Sequence, residues 1–483
     1  MQDQDGSPPV DLLITNARLI DGTGGPSQKA DLAVRGDRIA RIAERGSIDP
    51  KSARQVIDAS GLVLAPGFVD SHTHDDFAVI GGPEMRPKVT QGVTTVVVGN
   101  CGISGSPIRI KGDLPPPPLN LLGQSETFAY DTFADYAAKV DATAPAVNVV
   151  ALIGHGTLRV ATMRDISGRA TPDELARMRK LLGDSLDAGA IGFSTGLFYP
   201  INSGADADEV VALAEVVAEK GGVYTTHMRD EYDHVMDSLE ETFDTARRAK
   251  VPVVISHHKC AMPENYGRSR ETLKRIAEAA QKQTVGLDAY PYAAGSTVLY
   301  PEEARDDVRI MITWSVPHPE VSGRDLIDIA KEWGLSQQEA GERLLPAGAI
   351  YFQMDEKDVR SILAFPLTMI GSDGLPHDKH PHPRLWGTFP RILGHYVREV
   401  RLFSLENAIH KMTGMTAARF GLADRGVLRE GNAADLVLFD AEKVKDTATY
   451  ENPISAAEGI SAVFVNGKPA HEGARAGRLL RKH

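Results

Sequence analysis

Two histidines separated by one residue, His72-Thr73-His74, are the first chemistry-bearing pattern in this chain. If they end a strand, the alternation of side chains turns both imidazoles to one face, which is a chelating arrangement. Other metal-capable residues follow short apolar runs: Cys101 in Asn100-Cys101-Gly102, His227 after Val223 to Thr226, His257 after Val253 to Ser256, and Asp373 in Gly371-Ser372-Asp373-Gly374. Singly, each has an ordinary explanation as a packed thiol or a hydrogen-bonded core histidine. Their recurrence at corresponding positions points to a metal centre. Imidazole and thiolate donors suit Zn²⁺, which is redox-inert and accepts mixed N and S ligands. Such a metal polarises a scissile carbonyl and acidifies water near neutral pH. Asp373 would take the proton from the attacking water and hand it to the departing amine nitrogen, a step amides require because an amide anion leaves poorly.

Chemistry of this kind needs a frame that brings distant residues to one place. Eight apolar segments read as strands: Gly67 to Ser71, Thr94 to Val98, Val147 to Ile153, Ile191 to Thr195, Val223 to Thr226, Val253 to Ser256, Val285 to Ala289 and Leu367 to Gly371. Amphipathic helices alternate with them, as at Pro172 to Ala188, Ala207 to Lys220, Val235 to Lys250 and Arg270 to Lys282. Eight such alternations predict an α/β fold with a closed (β/α)8 barrel, whose sites lie at the C-terminal ends of the strands. Both chain ends, residues 1–65 and 415–483, show short strands and Gly/Asp turns, which predicts a small β-sandwich domain built from both termini. The barrel then occupies 66–293 and 349–414, and residues 294–348 are too long for one crossover, so they form a small insert or lid. Pro115 to Pro118 read as a stiff polyproline spacer or a solvated loop.

A net charge of −12 over 483 residues argues against a broad surface for nucleic acid or anionic lipid. No apolar run is long enough to span a membrane, and Met1 to Pro9 is polar where a secretory signal would be apolar. A cytoplasmic protein is expected. The two cysteines, Cys101 and Cys260, imply no disulfide framework, and Cys260 reads as a packed thiol. Oligomeric state is not legible.

His72-x-His74, histidines closing the fifth and sixth strands, and an Asp closing the eighth resemble the amidohydrolase superfamily. Many members carry a carboxylated lysine on the fourth strand; Ile191-Gly192-Phe193-Ser194-Thr195 has none, which counts against hydantoinase-like or dihydroorotase-like chemistry. Gly99-Asn100-Cys101-Gly102 and Ser372-Asp373-Gly374-Leu375-Pro376-His377 are instead similar to the D-aminoacylase branch, the N-acyl-D-amino-acid deacylases. That resemblance implies one tight zinc on Cys101, His227 and His257, and a second, weaker position bordered by His72, His74 and Asp373. It further implies that Lys259, Tyr290, Ser296 and Arg384 bind the α-carboxylate of a small N-acyl amino acid, a task for which an Arg fork and Lys charge are suited. Arg305 stands where relatives acting on apolar D-amino acids carry an apolar residue, so an acidic side chain, D-glutamate first, is expected; a pairing of Arg305 with Asp306 or Glu302 is the alternative. Phe198 and Met354 would supply the pocket's apolar wall. His155 reads as a hydrogen-bonding residue, and His377, His380 and His382 as solvent-facing or substrate-orienting. The competing readings are a D-aminoacylase for apolar residues, a cyclic amidohydrolase or deaminase, and a non-catalytic scaffold.

Overall fold

The computed structural model describes residues 10–112 and 114–481; Met1 to Pro9, read above for a signal, lie outside the described residues. The eight expected strands are present as β1 (Phe68–Asp70), β2 (Val93–Val98), β3 (Asn148–Gly154), β4 (Gly192–Gly196), β5 (Val223–His227), β6 (Val253–Ile255), β7 (Val285–Ala289) and β8 (Thr368–Ile370). They pair in chain order, every pair parallel. The ring closes where β1 meets β8: Ser71 N–H donates to the Ile370 carbonyl at 3.3 Å and Asp373 N–H to the His72 carbonyl at 2.8 Å. These strands are buried on both faces, which is why several read as near-continuous apolar runs, such as Val149 to Ile153 and Val253 to Ile255.

The outer helices begin where their caps dictate. Thr171 and Glu174 form a reciprocal capping box ahead of Pro172–Asp187, and Asp206 caps Ala207–Glu219. Their apolar faces, including Met178, Leu182, Leu213 and Val217, pack onto the barrel in one continuous core.

Strands from both chain ends build one sheet, where a two-sheet sandwich was expected. Val10–Leu19 pairs with Gln28–Arg35, Ala53–Asp58 and Val63–Pro66, and Val63–Pro66 pairs with Leu436–Phe439, which pairs with Ile460–Val465. Ile14, Leu32, Leu64, Leu436 and Phe464 come together from five of these strands and close a core separate from that of the barrel. Asn148, at the base of β3, bonds both Asp435 and Asn466, and Asp435 is ion-paired with Arg425, so the sheet is fastened to the barrel by buried polar contacts.

Between β7 and β8 the insert forms a three-stranded antiparallel sheet of Gly295–Val298, Ala347–Tyr351 and Ile310–Ser315, backed by helices Leu326–Trp333 and Gln337–Leu344. Its last strand runs past residue 348. The Pro115 to Pro118 run is only partly solvated: Pro117 is exposed, but Pro115 and Pro118 are buried, and Leu119, Leu121 and Leu122 immediately after them pack with Phe77, Phe128, Val298 and Leu375. The apolar side chains that follow the prolines hold this part of the excursion against the mouth.

Candidate metal centre and active site

Six side chains from five strand ends meet at the barrel mouth. The ligand atoms of His72, His74, Cys101 and Asp373 all lie within 4.8 Å of one another, as do those of Cys101, His227 and His257. Cys101 belongs to both groups: its Sγ is 3.2 Å from His72 Nε2 and 3.2 Å from His257 Nε2. His74 Nε2 lies 3.1 Å, and His72 Nε2 3.5 Å, from Asp373 Oδ1. All six are buried. A buried thiol facing two imidazoles, beside a carboxylate, is a donor set that fits zinc, and a shared thiolate allows two adjoining positions.

The backbone supports this convergence at some conformational cost. Cys101 (φ 53°), His257 (φ 36°) and Asp373 (φ 49°) all take the left-handed conformation that residues with a Cβ avoid, and each comes just after a strand. A kink there turns the side chain inward instead of continuing the pleat. Gly102 (φ 73°) completes the turn after Cys101, where a Cβ would stand 2.6 Å from the Gly196 nitrogen.

The electrostatics favour ligand-ready forms. Burial alone would raise the Cys101 thiol, but the facing His72 and His257 outweigh it and hold it well below the ordinary thiol range. Burial likewise opposes ionisation of Asp373, yet Arg384, His72 and His74 hold its carboxyl well below the usual carboxylate range. Burial lowers His227 to about 4, keeping its imidazole neutral.

Three supporting groups escaped sequence reasoning. Asp288 Oδ1 accepts the His257 N–H at 2.8 Å and stands 3.3 Å from His72 Nδ1. Glu231 contacts His257 Nδ1 at 3.1 Å and accepts from Lys259 Nζ at 2.6 Å. Such carboxylates fix the orientation of a ligating imidazole. An acid within the apolar run Val285-Gly286-Leu287-Asp288-Ala289 was the available signal for Asp288. Lys88, wholly buried, donates to Asp70 Oδ2 at 2.9 Å and Ser372 Oγ at 2.8 Å, and its position in a four-residue helix gave no such signal.

Among the expected substrate residues, Lys259, Tyr290 and Ser296 line one cavity together with His74, Cys101, His227, His257 and Asp373. Arg384 sits behind that wall, with its Cζ 4.5 Å from the centre of the Tyr290 ring and its Nη1 2.8 Å from Asp373 Oδ2. The guanidinium is buried; Nε has no hydrogen-bond partner, and Nη1 faces Asp373 as an ion pair without a directed hydrogen bond. His382 accepts the Arg384 N–H on Nδ1 and donates from Nε2 to the Ala294 carbonyl, so it orients this arginine. Arg305 is not brought to the mouth. It is 39 % exposed and paired with Glu264 at 2.6 Å and Asp307 at 2.7 Å, and it does not line the cavity. Met354 lines a separate small cavity beside Cys260, whereas Phe198 is at the mouth, stacked on His227 with ring centroids 5.4 Å apart. His155 bonds Glu209 at 2.8 Å, and burial raises the Cys260 thiol to about 12, as befits an inert packed group.

The Amidohydrolase family profile matches residues 55–314 and 268–471. The chain is 53 % identical over 482 residues to a D-aminoacylase of Alcaligenes xylosoxydans xylosoxydans, covering 99 % of each chain. It is 52 % identical to an N-acyl-D-aspartate deacylase of the same organism, covering 97 % of this chain and 93 % of that one. Among solved structures, an N-acyl-D-glutamate deacylase of Bordetella bronchiseptica, complexed with zinc and a phosphonate mimic of the tetrahedral intermediate, superposes with a TM-score of 0.95 at 48 % identity, covering 98 % of this chain and 100 % of that one. No helix of the described residues is long and apolar enough to cross a membrane. Identity and superposition run along nearly the whole length, and the chain is an enzyme of the amidohydrolase family, in its branch of metal-dependent N-acyl-D-amino-acid deacylases.

Proposed function

We propose that this enzyme hydrolyses the amide of N-acyl-D-amino acids, releasing a carboxylate and the free D-amino acid. The observation that carries the reading is Arg384: a buried guanidinium behind Tyr290, ion-paired with an ionised Asp373 that lines a cavity with the metal-capable residues, its Nε without a hydrogen-bond partner. Nε is a buried donor without a partner and Nη1 is held only by the Asp373 charge, so a carboxylate brought up to the Tyr290 wall would find a cation behind it. Lys259, Tyr290 and Ser296 line the same cavity and would complete the clamp, holding the scissile carbonyl over the donor set.

Cys101, His227 and His257 would hold the tight zinc, and His72, His74 and Asp373, sharing Cys101, a weaker second position. Zinc, when bound, polarises the scissile carbonyl and makes water acidic at neutral pH. Asp373 starts ionised, as a general base must, and removes a proton from the attacking water. The same carboxyl returns that proton to the amide nitrogen as the C–N bond breaks. Arg384, 2.8 Å away, keeps the carboxylate in place through both transfers. Glu231 and Asp288 fix the imidazoles of His257 and His72 meanwhile.

For the amino-acid side chain, the uncharged walls of Phe198, Tyr232 and Tyr351 favour an apolar D-residue. The D-glutamate preference expected from Arg305 lacks its cation at the cavity, since Glu264 and Asp307 already neutralise that guanidinium. The D stereochemistry rests on the relatives.

The test is a panel of N-acetyl-D- and N-acetyl-L-Leu, Met, Glu and Asp, with hydantoins and aminated heterocycles beside them, run on zinc-loaded and chelated enzyme. Zinc-dependent hydrolysis of the D-amides is expected, with Asp373→Asn lowering kcat by about 10²- to 10⁴-fold while zinc is retained. Turnover of the cyclic compounds alone would overturn the reading.

A further inference from the structure

The cavity has two apolar ends, and only one is taken by the reading above. Phe198 stacks on His227 at the end of β5, and Tyr232 packs on Phe198 with ring centroids 6.0 Å apart. Leu121 and Leu375, which belong to a different apolar cluster, line the same cavity, Leu375 next to His74. Leu375 is held there because it follows Asp373 by two residues and because the His74 N–H donates to the Gly374 carbonyl at 3.3 Å. Leu121 comes from the proline-rich excursion after β2 and is 3 % exposed. Phe77, Leu122, Phe128 and Val298 pack around both leucines, so this end is a fixed wall rather than a loose loop.

A scissile amide has two substituents to accommodate. With the α-carboxylate at the clamp and the amino-acid side chain against Phe198 and Tyr232, the acyl chain must leave the carbonyl in the remaining direction. We propose that Leu121, backed by Leu375, sets the length of the acyl group this enzyme accepts, limiting it to a few carbons. This assignment rests on the deacylase reading above. It gives the excursion between β2 and β3 a role in specificity.

Each methylene that gains a buried site adds roughly fourfold to binding in the transition state, the equivalent of about 0.8 kcal/mol. Leu121→Ala removes three carbon atoms from the wall and opens room for chain. N-formyl, N-acetyl, N-butyryl and N-hexanoyl derivatives of one D-amino acid should be assayed in pairwise competition, which reads ratios of kcat/KM independently of how much enzyme is folded. For Leu121→Ala, the hexanoyl-to-acetyl ratio is expected to rise by about tenfold, part of the full methylene increment. For Leu121→Phe, the butyryl-to-acetyl ratio is expected to fall by a similar factor. The D-Leu-to-D-Met ratio at fixed acetyl should change less than about twofold in both, since Phe198 and Tyr232 are untouched. Unchanged acyl ratios in both variants, or a change confined to the amino-acid ratio, would overturn the assignment. Wild-type enzyme inactive on every N-acyl-D-amino acid would instead overturn the parent reading, and this one with it.

Discussion

Lys88 lies beneath the seam where β1 meets β8, and replacing it tests whether that seam positions the metal centre. Its ammonium donates to Asp70 Oδ2 at 2.9 Å and Ser372 Oγ at 2.8 Å and lies 3.2 Å from Asp75 Oδ2. Asp70 Oδ1 in turn accepts the Ser372 N–H at 2.7 Å and the His72 N–H at 3.4 Å. One buried cation therefore binds the segment carrying His72 to the segment carrying Asp373. Lys88→Met keeps the volume but leaves two buried carboxylates without a cation, which should cost about 3–5 kcal/mol of stability. Activity should fall more than unfolding explains, because a shift of about 1 Å between His72 and Asp373 is enough for a roughly 10²-fold loss. The assays are urea denaturation followed by circular dichroism, and kcat on zinc-loaded enzyme at temperatures where the variant is folded. Lys88→Met/Asp75→Asn, with one carboxylate removed, should recover part of the stability and little of the activity. A single variant within about 1 kcal/mol of wild type and with normal kcat would refute the argument.

The shared thiolate predicts unequal metal sites. Cys101→Ala should lose bound zinc altogether by elemental analysis, whereas His72→Ala/His74→Ala should retain close to one zinc per chain; equal losses in the two would sink the assignment. Arg305→Leu should change the ratio of N-acetyl-D-Glu to N-acetyl-D-Leu hydrolysis by less than about twofold, since its charge is met by Glu264 and Asp307 rather than by the cavity. Selective loss of D-Glu turnover would restore the acidic preference. Away from the site, burial would raise Glu209, but His155 and Arg159 hold it at about 2, below its ordinary 4.5. Its folded-state pKa is depressed, so the stability it contributes is complete above about 4.5 and is lost as pH falls towards 2. The stability gap between wild type and Glu209→Gln should therefore be steady from pH 7 to about 4.5 and close below it; a gap independent of pH would contradict the pairing.

Much of the centre was legible because strand periodicity does two jobs at once. A run such as Val223 to Thr226 announces a buried strand, and the polar residue that ends it is then placed at the mouth. The ligand-capable residues could be named this way without any contact being known. Long-range pairing was not legible. Glu231 and Lys88 look like ordinary surface charges in sequence, and their burial depends on cations and carboxylates contributed by distant segments. Arg305 shows the converse failure, since its position suggested a role that two carboxylates, one of them 41 residues away, have taken up.

The left-handed residues explain why the strand pattern located these side chains but not their directions. Cys101, His257 and Asp373 each leave the strand by a turn that a Cβ disfavours, so alternation stops predicting orientation at the position that matters. Such conformations persist only where the surroundings hold them. Around His257 the hold is visible: Asp288 accepts its N–H and Glu231 faces its Nδ1. Around Asp373 it is the seam, with the His72 carbonyl accepting its N–H and Lys88 binding Ser372 beside it. The strain is thus concentrated on three donor residues while the buried acid and lysine network opposes its release. A donor set held this way is preorganised before metal or substrate arrives, so neither has to supply the energy of assembling it.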